Sequence, residues 1–214
     1  MTMHQARFDD INNIEAQTLL GWWAAMAEQV RAAAGADDEG WCFTDAEERA
    51  NGRLRGERAE LRRANSLSEV VQTAAYQRLR QRWEAASLTR TARRDGTTDW
   101  AEDRLAAVAW VLSQVKGGSG KSLGRSFGTH AEKSERAVVS EIRFRQLLEC
   151  TDRAELCRHL HRLLGILGGK ANPLELAELA YWWSADERGD WLRRKLANSY
   201  YLALLSIHPE QQSI

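Results

Sequence analysis

Two prolines in 214 residues constrain this chain more than any other feature. Val and Ile are also scarce while Ala, Leu, Arg and Glu abound, and those four lose little rotamer freedom in a helix. The expected fold class is therefore all-α, an amino-terminal helical part packed with a carboxy-terminal four-helix bundle, and a sheet-based fold is not expected. The length suffices to bury a core without disulfides or a structural metal. Cys42, Cys150 and Cys157 form no CxxC pair and read as reduced, packed thiols. No apolar run reaches the length of a membrane span, and no secretory leader pattern opens the chain, which predicts a cytoplasmic protein with no membrane partner.

Capping signals set the helices. Asp9 or Asp10 caps a first helix with Ile14, Leu19, Trp22, Trp23, Met26 and Val30 on its apolar side and Gly35 as its stop. Thr44 with Glu47, and Ser66 with Glu69, have capping-box spacing and predict helices near 45–63 and 67–86. In the latter, Val71, Ala75, Leu79 and Trp83 share a stripe and leave Arg78 and Arg82 on another face. Residues 87–98 read as an exposed, arginine-bearing loop. Asp99 with Glu102 opens an apolar helix through Leu105, Val108, Ala109, Leu112 and Val115, a central beam that the KGGSGK run at 116–121 ends. That run is the expected boundary between an amino-terminal part, 1–116, and a carboxy-terminal bundle, 122–214. Beyond it, Ser134 opens a helix to about Glu149. Asp152 with Glu155 opens one through Leu156, Leu160, Leu163 and Leu167 that Gly168-Gly169 closes. Asn172-Pro173 starts a helix through Leu176, Leu179 and Trp183, and a last helix carries Trp191, Leu192, Leu196 and Tyr200.

Several enzyme-like signals fail on context. Gly124-Arg125-Ser126-Phe127-Gly128 matches GxSxG, but no strand precedes it, as a nucleophile elbow requires. Gly118-Ser119-Gly120-Lys121-Ser122 imitates the end of a P-loop, yet Val115 stands where the first glycine belongs. Its amide-rich loop and Lys121 can still approach a phosphate without catalysis. The five histidines include one close pair, His159 and His161, on different helix faces, so no metal site and no cofactor is expected. The pairs Trp22-Trp23 and Trp182-Trp183 read as packing, one member buried and the other near a seam, with base stacking as the alternative.

The net charge of zero hides an asymmetry. Residues 1–50 carry Arg7, Arg31 and Arg49 against ten acidic groups, whereas 51–94 carry eleven arginines against four glutamates. Arginines displaced from the apolar stripes are the candidate site. Arg62 and Arg63 end the second helix, Arg125 follows the glycine loop, Arg136 and Arg143 lie two turns apart, and Arg158 and Arg162 lie one turn apart. Guanidinium forks suit phosphate oxygens and fix position without reading sequence. A helical protein-interaction module whose arginines meet acidic partner surfaces is the alternative.

The run Ser122-Leu123-Gly124-Arg125-Ser126-Phe127, the helix RFRQLLECTDRAELCRHLHRLL, and Tyr181-Trp182-Trp183 followed by RRKLANSYY resemble the CasB-type small subunit of the type I-E CRISPR complex, Cascade. The resemblance spans roughly 98–202. It implies a non-enzymatic helical subunit, two copies of which lie head to tail against the backbone subunits and the large subunit. It further implies contact with guide RNA and target DNA, including the displaced strand, so that the R-loop persists in antiviral defence. On this resemblance the matched basic positions are Arg125 in SLGR, Arg143 or Arg145 in RFRQLL and Arg162 in HRLL, with Arg62 and Arg63 as a double-arginine helix end. Where the family has a basic residue after its Trp-Trp pair, Asp186 and Glu187 stand before Arg188.

Overall fold

The structure, a computed structural model, describes residues 18–24, 52–88, 98–131, 134 and 136–206. The expected caps at Asp9 or Asp10 and at Thr44, the stop at Gly35 and most of the loop at 87–98 lie outside them. A helical segment at 18–24 is followed by α1 (Gly52–Arg63), α2 (Leu67–Val71), α3 (Ala74–Leu88) and α4 (Thr98–Gln114). Then come β1 (Gly117–Gly118), α5 (Leu123–Gly128), α6 (Glu141–Glu149), α7 (Arg153–Ile166), β2 (Lys170–Ala171), α8 (Pro173–Trp182) and α9 (Glu187–Leu204). Among the described residues the protein is all-α apart from the two-residue parallel pair β1–β2. No described helix is long and apolar enough to cross a membrane.

The beam read from the sequence is α4. Every residue from Leu105 to Val115 is buried, and the helix packs against α1, α2, α3, α7 and α8. Residues on both sides of the glycine run join one hydrophobic cluster. The run itself leaves α4 as β1, whose ladder with β2 is extended by Lys116 N donating to Gly169 O (2.8 Å) and Ser119 N to Ala171 O (3.0 Å).

The carboxy-terminal caps form as their sequences dictate. Asp152 accepts from Glu155 N, Asn172 from Leu174 N and Glu175 N, and Asp186 from Gly189 N. The α7 terminus is a Schellman motif, Gly168 N donating to Gly165 O (3.1 Å) and Gly169 N to Leu164 O (2.8 Å). Both glycines have positive φ, 65° and 82°, which is why glycine stands there.

Three expectations are corrected. The helix over 67–86 is two helices, because the Thr73 hydroxyl donates to Val70 O (2.7 Å), accepts from Tyr76 N (3.2 Å) and so restarts the helix. The helix before Glu149 begins at Glu141 rather than after Ser134. Val138 N and Val139 N donate back to Thr129 O and Phe127 O, which holds 136–139 extended against the end of α5. Trp22 and Trp23 are both buried instead of one each way, since each indole N–H finds a distant carbonyl, Ala75 O (3.1 Å) and Val115 O (3.3 Å). The last helix carries Trp191, Leu192, Leu196 and Tyr200 as expected, with Trp191 47% exposed and the other three buried together with Gly189. The other pair follows expectation, with Trp183 buried and Trp182 half-buried.

Helix α5 was not expected, and it explains GxSxG. Gly124 and Gly128, one turn apart, face α9. A Cβ on Gly124 would lie 2.5 Å from Leu196 O and 2.8 Å from Ser199 Cβ, and one on Gly128 would strike Tyr200 O. The two glycines are there so that two backbones can touch. Beneath them Phe127, Phe144 and Tyr200 form an aromatic core, with the Phe144 and Tyr200 rings stacked at 3.9 Å between centroids and 8° between planes.

Candidate nucleic-acid interface

Arginine is the abundant cation here, and the fold sorts its copies by what they touch. One group is structural. Arg58 donates to Ser113 O (2.9 Å) and Val115 O (2.6 Å) at the carboxyl end of α4. Arg153 donates to Ala180 O (3.3 Å) and Trp183 O (2.8 Å) at the end of α8. Arg193 donates to Leu148 O (3.2 Å) and Cys150 O (3.2 Å) at the end of α6 and to Ser184 O (2.7 Å), and it lies 4.5 Å from the Trp183 ring centre. Each fork satisfies carbonyls that a helix terminus leaves without partners and opposes the negative end of its dipole. Burial, and next the charge of Arg104, pull the Arg153 guanidinium below its ordinary range.

A second group is ion-paired. Arg78 meets Glu57, and Arg80 bridges Glu84 and Glu102 at 3.1 Å each. Arg145, a predicted site residue, pairs with Glu141 one turn earlier at 2.6 Å. The Tyr201 hydroxyl donates to the same carboxylate (3.0 Å), and this bond followed by that of Arg145 holds Glu141 below the usual carboxylate range. Arg188 lies 3.8 Å from the Trp182 ring centre, with Arg104 at 5.0 Å.

What remains is the predicted set. Arg62, Arg63, Lys121, Arg125, Arg136, Arg143, Arg158 and Arg162 are exposed and, among the described residues, make no ion pair. Arg62 donates only to Gln114 Oε1 (3.3 Å). Arg158 and Arg162 sit one turn apart on α7 as expected. Arg136 does not share a helix with Arg143, because it lies in the extended segment before α6, where its N–H is taken by Ser134 Oγ (3.1 Å). Within RFRQLL the exposed cation without a carboxylate is Arg143.

Two lysines escaped the sequence reading. Pairing β1 with β2 puts Lys170 opposite Gly117, and the Lys116 side chain lies across Gly169. Both are exposed. The signal was present as two glycine–lysine runs, 116–121 and 168–170.

The enzyme-like motifs resolve into structure. Ser126 Oγ donates to Ser122 O within its own helix (3.0 Å). Ser122 caps α5 and shares a 2.7 Å hydrogen bond with Ser199. The Leu123 amide, which a phosphate-binding loop would offer its ligand, donates to Glu175 at 2.6 Å. Burial raises the Glu175 carboxyl above its ordinary range despite that bond. Among the described residues Cys150, Glu155 and His159 bring donor atoms within 4.8 Å of one another. The Cys150 thiol donates to Gln146 O (3.2 Å) and is pushed up to about 11, first by burial and then by Glu155.

Fold and site together define a helical protein that, among its described residues, presents a set of exposed cations without ion-pair partners. Residues 57–201 match the family of CRISPR-associated protein Cse2, more than half of the chain, and the protein belongs to that family. It is thereby a small subunit of the CRISPR complex Cascade, which it forms with other subunits. The match begins about forty residues before the stretch in which the resemblance is visible by eye. No curated protein and no solved structure matches the chain.

Proposed function

We propose that this subunit is non-catalytic and grips nucleic acid backbones without reading sequence, stabilising the guide RNA–target DNA R-loop and its displaced strand. The observation that carries the reading is that Arg63, Arg125, Arg143, Arg158 and Arg162 stand exposed with no carboxylate partner among the described residues, in a chain whose net charge is zero. Cations kept clear of internal partners are available to phosphates. Exchange of a DNA duplex for an RNA–DNA heteroduplex is nearly balanced, so a few backbone contacts decide whether the open state survives. A second copy in the complex would double that surface.

The test is R-loop formation by the assembled complex carrying Arg125, Arg143 and Arg162 changed to Ala, with displaced-strand reactivity followed across a salt series. The expected result is lost strand protection with assembly intact, and a shallower salt dependence than the unaltered complex shows. Unchanged protection would overturn the backbone-gripping role. Lost assembly with unchanged protection per assembled complex would favour protein contact instead, a reading supported by Ile142, 73% exposed beside Arg143.

A further inference from the structure

Helix α9 has two stripes. Leu192, Leu196 and Tyr200 face the core, whereas Trp191, Arg194, Lys195, Asn198, Ser199 and Leu202 line an open groove of about 570 Å³. The second stripe lies on one side of the helix because its residues are three or four apart. Its composition narrows the occupant. It holds an indole 47% exposed, a leucine 72% exposed, two cations, an amide and a hydroxyl, with no carboxylate among the six. Arg194 is exposed and makes no ion pair among the described residues.

The indole is braced. Lys195 Nζ lies 4.9 Å from the Trp191 ring centre while bonded to Glu178 at 3.2 Å, so α8 fixes the ammonium that steadies the ring. Nearly half of the Trp191 surface remains open even so. Further along the groove a hydrogen bond ties it to the helix that carries Arg125. Ser199 bonds Ser122, which stands next to Lys121 and three residues before Arg125. From Trp191 to Leu202 the stripe runs about 16 Å, enough for a few nucleotides.

We propose that this groove binds single-stranded nucleic acid, with a base stacked on Trp191 and the adjoining phosphates held by Arg194 and Arg125. An aromatic face flanked by cations is how proteins hold single strands without sequence preference. An acidic protein segment would satisfy the cations but not use the open ring. The inference rests on the nucleic-acid reading above and adds a site to it that stacks a base as well as holding phosphates.

The experiment uses the full chain and a short fluorescein-labelled oligodeoxythymidine, with anisotropy titrations across a potassium chloride series. Trp191→Ala should weaken binding about tenfold at every salt concentration, as expected for loss of one stacked base, and leave the slope of log affinity against log salt unchanged. Trp191→Phe should keep most of the affinity. Arg194→Ala should reduce that slope by about 0.7, one phosphate contact on a single strand. Unfolding midpoints of the variants establish that each is folded. Wild-type affinity in Trp191→Ala, with affinity lost on replacing Arg125, Arg143 and Arg162, would overturn the stacking site and leave backbone gripping standing. Wild-type affinity in both sets would overturn both. Wild-type affinity in Trp191→Ala with impaired assembly into the complex would assign the groove to a protein neighbour and refute the proposal.

Discussion

Gly124→Ala tests how closely α5 must approach α9. The new Cβ would meet Leu196 O at 2.5 Å and Ser199 Cβ at 2.8 Å, and the first of these is backbone that cannot rotate aside. Restoring ordinary contact, roughly 3.5 Å, moves α5 outward by about 1 Å. Helix α5 buries Leu123 and Phe127 completely, worth about 3–6 kcal/mol together. A gap of that width forfeits about a quarter to a half of a contact's energy, so the loss is about 1–3 kcal/mol. Alanine's better helix propensity returns up to about 1 kcal/mol. The net expectation is destabilisation by about 1–2 kcal/mol, read as a lower urea midpoint with an unchanged slope. Gly128→Ala should cost more, since its Cβ strikes Tyr200 O and lies 3.2 Å from Ala203 Cβ. Gly165→Ala in α7 has nothing within 4 Å and should be neutral or stabilising. A midpoint for Gly124→Ala at or above wild type would refute the reasoning, because opposite signs at the two helical glycines are what the packing demands.

Glu175→Gln keeps an oxygen for Leu123 N and removes a buried charge. Because burial raises the Glu175 carboxyl above 4.5, the folded state holds its proton more tightly than the unfolded one, and wild-type stability falls as pH rises through the range above that value. The Gln variant should therefore gain on wild type from pH 4 upward in urea titrations, and a gap that narrows with rising pH would refute the assignment. Arg193→Lys should cost about 2 kcal/mol, since one ammonium cannot span the carbonyls of Leu148, Cys150 and Ser184 that the largely buried fork serves. Arg194→Lys at the exposed neighbouring position is the control, and equal midpoints for the two would show that the fork does not hold the helix ends.

The helices were legible where local chemistry decides them and illegible where distant carbonyls do. Asp152, Asn172 and the Gly168-Gly169 stop act on their own first or last turn, and the sequence marks all three. Ser134 offered the same kind of signal and was outbid by the carbonyls of Phe127 and Thr129, which lie in another element and take the amides of 138 and 139. Trp22 and Trp23 differ in the same way. Adjacent helical positions point about 100° apart, but burial of both follows from two separate neighbours, α3 at Ala75 and the end of α4 at Val115, that no periodicity reveals. Helix α5 was missed because six residues with two glycines carry almost no helix propensity. It exists through contact with α9.

The site was harder to read than the fold for a reason specific to arginine. A guanidinium that caps a helix terminus and one that awaits a phosphate are the same residue type on the same polar face, and spacing alone does not separate Arg153 from Arg158. What separates them is whether a carbonyl or carboxylate from elsewhere arrives at the fork. Arg153 meets the end of α8, Arg145 meets Glu141, and Arg158 meets neither. The acidic residues decide the outcome by where they are spent. Asp152 and Asp186 serve amides at helix starts, Glu175 serves Leu123, and Glu57, Glu84, Glu102, Glu141 and Glu178 hold cations. Among the described residues, a chain of zero net charge thus holds some of its arginines in ion pairs and leaves others, Arg158 among them, exposed.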